Sequence, residues 1–289
     1  MAAAHGESWG ELDVREDFIE ANGQRIAITR FGQGPALLVL HGIGSRGTSW
    51  LPIADRLAQS YDVIAIDQRG HGASSHPAQG YLIPDYAADL AGVLDQLGLE
   101  KPLIMGHSLG GMVTLEWARQ HPDRAAALVI EDSSMRRGGP GVDELFDGWI
   151  TLSKMSFEEA RAYYANENAG WTDDDLERRA LAITSVAPGV FCEMKGDMVS
   201  QGGASAIPTY AGIQSPTLLI YGDVEAGGMV PEFDATTFSE TLPNVEVAQI
   251  SGGSHSLHRD ISDAFLAIAE PFLARYASKA TWLEGAARD

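Results

Sequence analysis

The chain has 289 residues, which is enough for one large domain or for a domain that carries an insertion. Hydrophobic residues make up 45% of it and charged residues 21%, a globular composition that excludes a disordered, collagen-like or coiled-coil chain. The 20 basic and 40 acidic residues give a formal net charge of −20, which disfavours nucleic acid and anionic membranes as partners. The single cysteine, Cys192, excludes an intrachain disulfide.

We do not expect a targeting signal at the beginning of the chain. Residues 1–13 are rich in alanine and then acidic, and they lack the basic and apolar regions of a secretory signal peptide. No segment approaches the roughly 20 apolar residues of a membrane span. We therefore expect a cytoplasmic protein, and the sequence does not indicate its oligomeric state.

The predicted strands begin with a hairpin. Residues 17–20 and 25–31 flank Asn22-Gly23, and Asn-Gly between two β-like runs is typical of a two-residue hairpin turn. Six further strand-like runs follow, at residues 36–40, 61–66, 103–105, 126–130, 217–221 and 245–250. All but the last are continuously apolar, which is typical of strands buried on both faces of a mostly parallel sheet.

Helices are predicted between these strands. Apolar residues recur at helical spacing in five segments, at residues 48–59, 84–97, 109–120, 231–241 and 260–276. Residues 133–213 contain no strand signal but four helix-like segments, at residues 142–153, 157–166, 172–185 and 190–200. We therefore expect an α/β core formed by residues 16–132 and 214–277, with a helical cap at 133–213 inserted after strand six. Residues 1–15 and 278–289 are expected to be tails.

The strongest chemical signal is Gly106-His107-Ser108-Leu109-Gly110, which follows an apolar run and begins a helix. This strand–turn–helix setting is the one that a nucleophile elbow requires. The turn is so sharp that side chains two residues before and after the nucleophile would collide, and glycines at 106 and 110 remove that collision. Ser108 is therefore the candidate nucleophile.

A second glycine-containing loop, His41-Gly42-Ile43-Gly44, directly follows the strand at 36–40. We expect the backbone N–H groups of Ile43 and Leu109 to form an oxyanion hole, in which each donor typically stabilises the transition state by about 3 kcal/mol. Ser45 and Arg46 come next, and they either line the mouth of the pocket or lie in solvent.

Four motifs together resemble the α/β-hydrolase superfamily. His41–Gly44 is similar to its oxyanion loop, and Asp67–Ser74 to the loop after its fourth strand. Gly106–Gly111 is similar to its nucleophile elbow, and Gly252–His258 to its catalytic-histidine loop. The resemblance covers the predicted core and not the cap. It implies an eight-stranded, mostly parallel sheet with helices on both faces, and a serine hydrolase that needs neither cofactor nor metal.

The family's chain order of nucleophile, acid and histidine gives His255 the role of general base, with His258 as the alternative. His107, inside the elbow, is expected to shape the pocket wall, while His41 braces its own loop. His71 is expected in a surface loop.

The triad acid stays open at this level. The family commonly places it three residues after the glycine that follows strand seven, which gives Glu225, the preferred candidate. Asp223 lies in the same loop and is the first alternative. The second is Asp132, at the end of strand six and 24 residues after Ser108, where some members of the family place their acid. Glu131 is the least favoured.

The pocket wall is expected to include His107, Gly42 and aromatic cap residues, namely Trp149, Tyr163, Tyr164 and Phe191. These residues imply a largely apolar small-molecule substrate. We expect hydrolysis of a carboxylic ester or lactone through an acyl-enzyme. Alternatives are hydrolysis of a C–C bond in a diketone, amide cleavage or perhydrolysis with the same triad, and a non-catalytic receptor on the same fold.

Overall fold

The computed structural model describes residues 12–283, and eight of its strands form one sheet. These strands are β1 (Val14–Ala21), β2 (Gln24–Gly32), β3 (Ala36–Leu40), β4 (Asp62–Ile66), β5 (Leu103–His107), β6 (Ala127–Glu131), β7 (Thr217–Tyr221) and β8 (Val245–Gln249). Their order across the sheet is β1-β2-β4-β3-β5-β6-β7-β8. The pairs β1–β2 and β2–β4 are antiparallel and the others are parallel, so the expected sheet is confirmed.

The hairpin at the start of the sheet turns at the predicted dipeptide. Asn22 has φ 50° and Gly23 has φ 71°, and the adjacent residues Ala21 and Gln24 are paired. Two positive φ angles in a two-residue loop define the turn whose twist matches that of the strands it joins, and asparagine and glycine tolerate them best.

Within residues 12–283, ten α-helices accompany the sheet. They are α1 (Leu51–Ala58), α2 (Ile83–Gln96), α3 (Leu109–Gln120), α4 (Val142–Leu152), α5 (Phe157–Glu167), α6 (Asp173–Thr184), α7 (Pro188–Gln201), α8 (Glu232–Thr241), α9 (Leu257–Asp260) and α10 (Ser262–Tyr276). Among the described residues, no helix is both long and apolar enough to cross a membrane.

Alternate residues of β3 belong to different faces of the core. Leu38 and Leu40 pack with residues of α2, α3 and the segment 142–201, while Leu37 and Val39 pack with residues of α1 and α10. Because side chains of a strand alternate between its two faces, a strand covered on both sides is apolar throughout. Every residue of β3, β4, β5, β6 and β7 is buried, which explains why these five runs are readable in the sequence.

Helices α4 to α7 lie between β6 and β7. Helix α6 begins at a capping box in which the N–H of Asp175 donates to Oγ1 of Thr172, at 3.2 Å. Three aspartates in its first turn stabilise the helix dipole. Helix α7 begins with Pro188 and ends at Gly202, whose φ of 59° suits a left-handed cap.

Two short ribbons were not expected from the sequence. Arg136–Arg137 pairs with Ala204–Ser205 at the two ends of the helical segment, and Thr281–Trp282 pairs with residues of Leu99–Lys101. The second ribbon ties part of the expected C-terminal tail to the core. Two- and three-residue strands carry no readable periodicity, which is why the sequence pattern misses them.

Candidate active site

Ser108 lies at the sharp turn between β5 and α3. Its backbone has φ 52° and ψ −115°, a region that is costly for a residue with a side chain. Hydrogen bonds hold it there on both sides: its N–H donates to the carbonyl of Glu131 at 3.0 Å, and its own carbonyl accepts from Oγ of Ser133 at 2.8 Å. The surrounding structure therefore maintains the strained conformation.

Glycines make this turn possible, as the sequence predicts. A Cβ atom on Gly106 would overlap the backbone of Gly110, and one on Gly110 would overlap the carbonyl of Leu40 in β3. A Cβ atom on Gly111 would overlap Oγ of Ser133. The elbow therefore packs against β3 as well as against itself.

The loop after β3 lies against the elbow. A Cβ atom on Gly42 would be 2.9 Å from Nδ1 of His107 and 3.2 Å from Cβ of Ser108. Gly44 donates to Nε2 of His71 at 3.2 Å, and Gly110 donates to the carbonyl of His41 at 3.1 Å.

The two N–H groups proposed for the oxyanion hole belong to Ile43 and Leu109, which directly precede Gly44 and Gly110 in the chain. Within residues 12–283, the amides of Ile43 and Leu109 donate to no protein acceptor, so both remain available to a ligand.

Two buried histidines, His41 and His71, hold this loop through hydrogen bonds. His41 donates from Nδ1 to the carbonyl of Gly42 at 2.7 Å and accepts from the N–H of Gln68 at 3.0 Å. Burial lowers the pKa of His41 to about 4, and burial with the nearby His41 lowers the pKa of His71 to about 3. Both rings are therefore neutral at neutral pH. The surface position expected for His71 is wrong, because its ring is fully buried and accepts from Gly44.

His255 pairs with Asp132. Nδ1 of His255 lies 2.7 Å from Oδ2 of Asp132, a carboxylate that is fully buried at the end of β6. Asp132 also accepts from the N–H of Met229 at 2.8 Å and from that of Gly222 at 3.3 Å. With Nδ1–H donating to the carboxylate, the lone pair of Nε2 is left to accept a proton.

The preference for Glu225 as partner of the histidine is wrong. Glu225 is exposed in the short 3-10 helix Val224–Ala226. Asp223 instead accepts from Nε2 of Gln249 at 2.8 Å and from the N–H of Gly252 at 2.6 Å, which braces the neighbouring loop. The loop after β7 directs two backbone amides to Asp132, which thereby binds this loop as well as His255. The signal for Asp132 was its spacing from Ser108.

His107 joins the elbow to the histidine loop. Its Nε2–H donates to the carbonyl of His255 at 2.9 Å, and the centroids of the two rings are 4.6 Å apart. Burial, reinforced by the nearby His255, holds the pKa of His107 well below its usual value, so the ring is neutral. This contact brings the segment that carries Ser108 against the segment that carries His255.

A second acid–histidine pair lies beside the first and was missed by the sequence analysis. Nδ1 of His258 is 2.8 Å from both carboxylate oxygens of Glu131, and its Nε2 is 3.1 Å from the carbonyl of Ser49. The backbone N–H of His258 also donates to Oε1 of Glu131, at 2.9 Å. His258 is thus occupied, and only His255 of the two candidates is left for Ser108.

The aromatic residues of the helical segment divide between inside and outside. Phe191 is fully buried, and its Cζ atom would lie 3.5 Å from a Cβ atom on Gly44. The ring centroids of Phe191 and Trp149 are 6.0 Å apart. Tyr164 is buried and Tyr163 is 39% exposed, and the place of both in the pocket wall stays a prediction. Adjacent residues of a helix point about 100° apart, and only one of the two faces the interior.

The described part of the chain offers no metal site, since no group of three or more His, Cys, Asp or Glu side chains within it is arranged to hold an ion. The histidines and carboxylates at the site are paired with one another instead.

Comparison with known proteins supports the fold. The family model described as alpha/beta hydrolase fold matches residues 35–260. The 2-(acetamidomethylene)succinate hydrolase of Mesorhizobium japonicum is 27% identical over 240 residues, covering 78% of this chain and 82% of that protein. The N-formylmaleamate deformylase of Pseudomonas putida is 28% identical over 268 residues, covering 88% and 95%.

A solved structure shows the same architecture. The crystal structure of E-2-(acetamidomethylene)succinate hydrolase superposes with a TM-score of 0.77 at 22% sequence identity, covering 90% of this chain and 99% of that one. At this level of identity the superposition shows a shared fold.

Proposed function

Because the chain belongs to the α/β-hydrolase family and is therefore a hydrolase, we propose that it cleaves a carboxylic ester or lactone through an acyl-enzyme on Ser108. One observation carries the proposal: Ser108 is held in strained backbone beside the available N–H groups of Ile43 and Leu109. A nucleophile next to two convergent donors is the arrangement that acyl transfer requires.

The proposed reaction has two halves. Oγ of Ser108 attacks the substrate carbonyl while Nε2 of His255 takes its proton, and Asp132 stabilises the resulting imidazolium through Nδ1. The N–H groups of Ile43 and Leu109 hold the oxyanion. His255 then protonates the leaving oxygen, and a water molecule activated by the same imidazole releases the acid and restores Ser108.

Amide hydrolysis is the second candidate. Two relatives that match this chain over most of their length are named for amides, namely 2-(acetamidomethylene)succinate and N-formylmaleamate. The same residues serve an amide, provided that the leaving nitrogen lies where His255 can protonate it.

The first test is covalent labelling with a fluorophosphonate probe, read by intact mass. We expect a single adduct on the wild-type protein and none on Ser108→Ala, because the probe needs an activated serine beside an oxyanion hole. Glycine-to-alanine exchange at the exposed helical position Gly196 is the matched control and should leave the adduct in place. A folded wild-type protein that neither reacts with the probe nor hydrolyses p-nitrophenyl acetate would contradict the proposal.

Parallel assays with esters, lactones and the corresponding N-acyl amides then separate the two candidates. Ester or lactone turnover that exceeds amide turnover supports the first, and the reverse supports the second.

A further inference from the structure

A cavity beside the oxyanion loop gathers positive charge. It lies among residues 45–52, helix α6 and helix α9. Four arginines line it, namely Arg46, Arg178, Arg179 and Arg259, together with one carboxylate, Asp175. The whole chain has only 20 basic residues against 40 acidic ones, so this concentration runs against the overall charge. We propose that the cavity binds a carboxylate group of the substrate, with Arg179 as its principal ligand. The inference rests on the proposed function and narrows it to an acid-bearing ester, lactone or amide.

Arg179 is the arginine that lacks a counter-charge. Its Nη1 donates to the carbonyl of Gly44, and its guanidinium lies 5.2 Å from the ring centroid of Tyr164. Within residues 12–283 it forms no salt bridge to a carboxylate. Burial, together with the nearby positive charge of Arg259, lowers the pKa of Arg179. A half-buried guanidinium that has no carboxylate partner is stabilised by a bound anion.

The other three arginines each have a carboxylate within ion-pair distance, and for Arg46 this is Asp67, whose Oδ2 lies 4.0 Å from Nη2 of the arginine. Arg178 is 2.6 Å from Oδ1 of Asp175, and Arg259 is 2.8 Å from Oδ1 of Asp260. Both charges are therefore already compensated. Arg178 lies on the same helix as Arg179 and lines the same cavity. It differs from Arg179 mainly because it has a carboxylate partner, Asp175.

Geometry links this cavity to the reacting centre. The carbonyl that Arg179 binds belongs to Gly44, which directly follows the proposed oxyanion donor Ile43. A turn closed by the Ser45 N–H on the Gly42 carbonyl at 3.2 Å keeps these residues within about 7 Å of one another. A Cβ atom on Gly42 would lie 3.2 Å from Cβ of Ser108, so this loop adjoins both the cavity and the elbow. The proposal places the carboxylate of a short substrate on Arg179 and its scissile carbonyl at Ser108.

A carboxylate fits the guanidinium group of Arg179. The planar guanidinium binds the two oxygens of a carboxylate through parallel hydrogen bonds. Trp171, Pro52 and Ala182 supply apolar surface for the carbon chain that carries it.

The test compares matched pairs of substrates. The p-nitrophenyl monoesters of succinate, glutarate and adipate carry a free carboxylate, and the esters of butyrate, valerate and hexanoate do not. We expect the wild-type protein to favour the charged set, after subtraction of the Ser108→Ala background. In Arg179→Met, the ratio of kcat/KM between charged and neutral esters should fall about ten- to a hundredfold, as loss of a hydrogen bond to a charged group predicts. The loss should lie mainly in KM.

Two further variants keep the result interpretable. Arg179→Lys should retain part of the preference, because a charge remains without the planar fork. Arg161→Met, which removes an arginine that is paired with Asp173 and does not line the cavity, should lower the ratio less than threefold. Thermal unfolding of each variant shows whether it is folded.

The outcomes separate this inference from the proposed function. If Ser108-dependent hydrolysis of neutral esters occurs but the ratio is unaffected by Arg179→Met, the carboxylate site is wrong and the hydrolase stands. If neither set is hydrolysed, the proposed function is wrong, and calorimetric titration with glutarate decides the site alone. Binding to wild type that is weakened at least tenfold in Arg179→Met supports it, and no binding to wild type overturns it.

Discussion

Asp132 has three hydrogen-bond donors on one small carboxylate. Nδ1 of His255 and the amides of Met229 and Gly222 converge on it. The aspartate therefore fixes the histidine tautomer and also ties the loop after β7 to the end of β6. Its main chain has φ 36°, an unusual value for a residue other than glycine or asparagine, which the converging bonds maintain.

Replacing this aspartate tests its role directly. In Asp132→Asn one oxygen becomes an amide donor that faces Nδ1, which favours the wrong tautomer of His255. We expect kcat to fall about 10³- to 10⁴-fold, the size of effect known for such a change in serine protease triads. Glu225→Gln is the control and should change kcat less than twofold, since that side chain is exposed. Steady-state kinetics on an ester substrate test this prediction. Equal losses of kcat in both variants would refute Asp132 as the acid that pairs with His255.

Residues of this site were predictable to different degrees. Ser108 and His255 each lie in a local motif whose glycines have a steric purpose, and such motifs are visible in a single stretch of chain. The acid depends on how the loop after β7 bends relative to β6, and residues 222–229 and 132 are far apart in the chain. No local pattern records that bend. For the same reason the pair of Glu131 and His258 was not foreseen, although both residues adjoin or nearly adjoin the triad partners in sequence.

At the scale of elements, the elbow depends on how closely α3 approaches β3. Helical glycines in this chain fall into two groups. A Cβ atom on Gly110 would overlap the carbonyl of Leu40, whereas Gly148 in α4 and Gly196 in α7 have no atom within 4 Å of the same position. The first glycine serves close packing, and the other two only add conformational freedom to the unfolded chain.

Alanine substitutions should separate these groups by sign. Gly110→Ala should lower the free energy of unfolding by roughly 1–3 kcal/mol or more, as overpacking against a rigid backbone does. Gly196→Ala should raise it by about 0.5–1 kcal/mol, because alanine is the better helix former. Urea denaturation of the two variants beside the wild type measures both. A stabilised Gly110→Ala would mean that α3 and β3 are less closely packed than the structure indicates.

The elements themselves were predicted well where burial is complete. The run at 36–40 coincides with β3 and the helix at 109–120 with α3, because a continuous apolar run and an amphipathic period are strong signals. The ribbon of Arg136–Arg137 with Ala204–Ser205 depends on which chain ends the folded helices bring together. That information lies in the packing and not in either dipeptide.

For the whole molecule, neutral buried histidines make stability depend on pH. His41 and His71 have pKa values of about 4 and about 3 in the folded protein, against 6.5 for a free side chain. The unfolded chain therefore binds protons below pH 6.5 that the folded chain excludes. Their contribution to stability is complete above pH 6.5 and declines as the pH falls toward 4.

We expect the free energy of unfolding to decrease between pH 7 and pH 5, with His41 alone contributing up to roughly 3 kcal/mol by pH 4. Lower pH also reduces the net negative charge, which opposes this trend, so the comparison with a variant is needed. His71→Gln should be less stable at pH 7 and show a shallower decline toward pH 5. Urea unfolding of both proteins at several pH values tests this. Parallel pH profiles would show that His71 is not held neutral.

The two acid–histidine pairs share the same two pieces of chain. Glu131 and Asp132 are consecutive at the end of β6, and His255 and His258 are three residues apart before and within α9. A single hydrogen-bonded pair would leave residues 255–258 free to rotate about that one contact. Two attachments side by side determine both its position and its orientation, so the imidazole of His255 is aimed before any substrate arrives. Helices α4 to α7 supply neither the acid nor the histidine of either pair, so substitutions in these helices should leave both pairs in place.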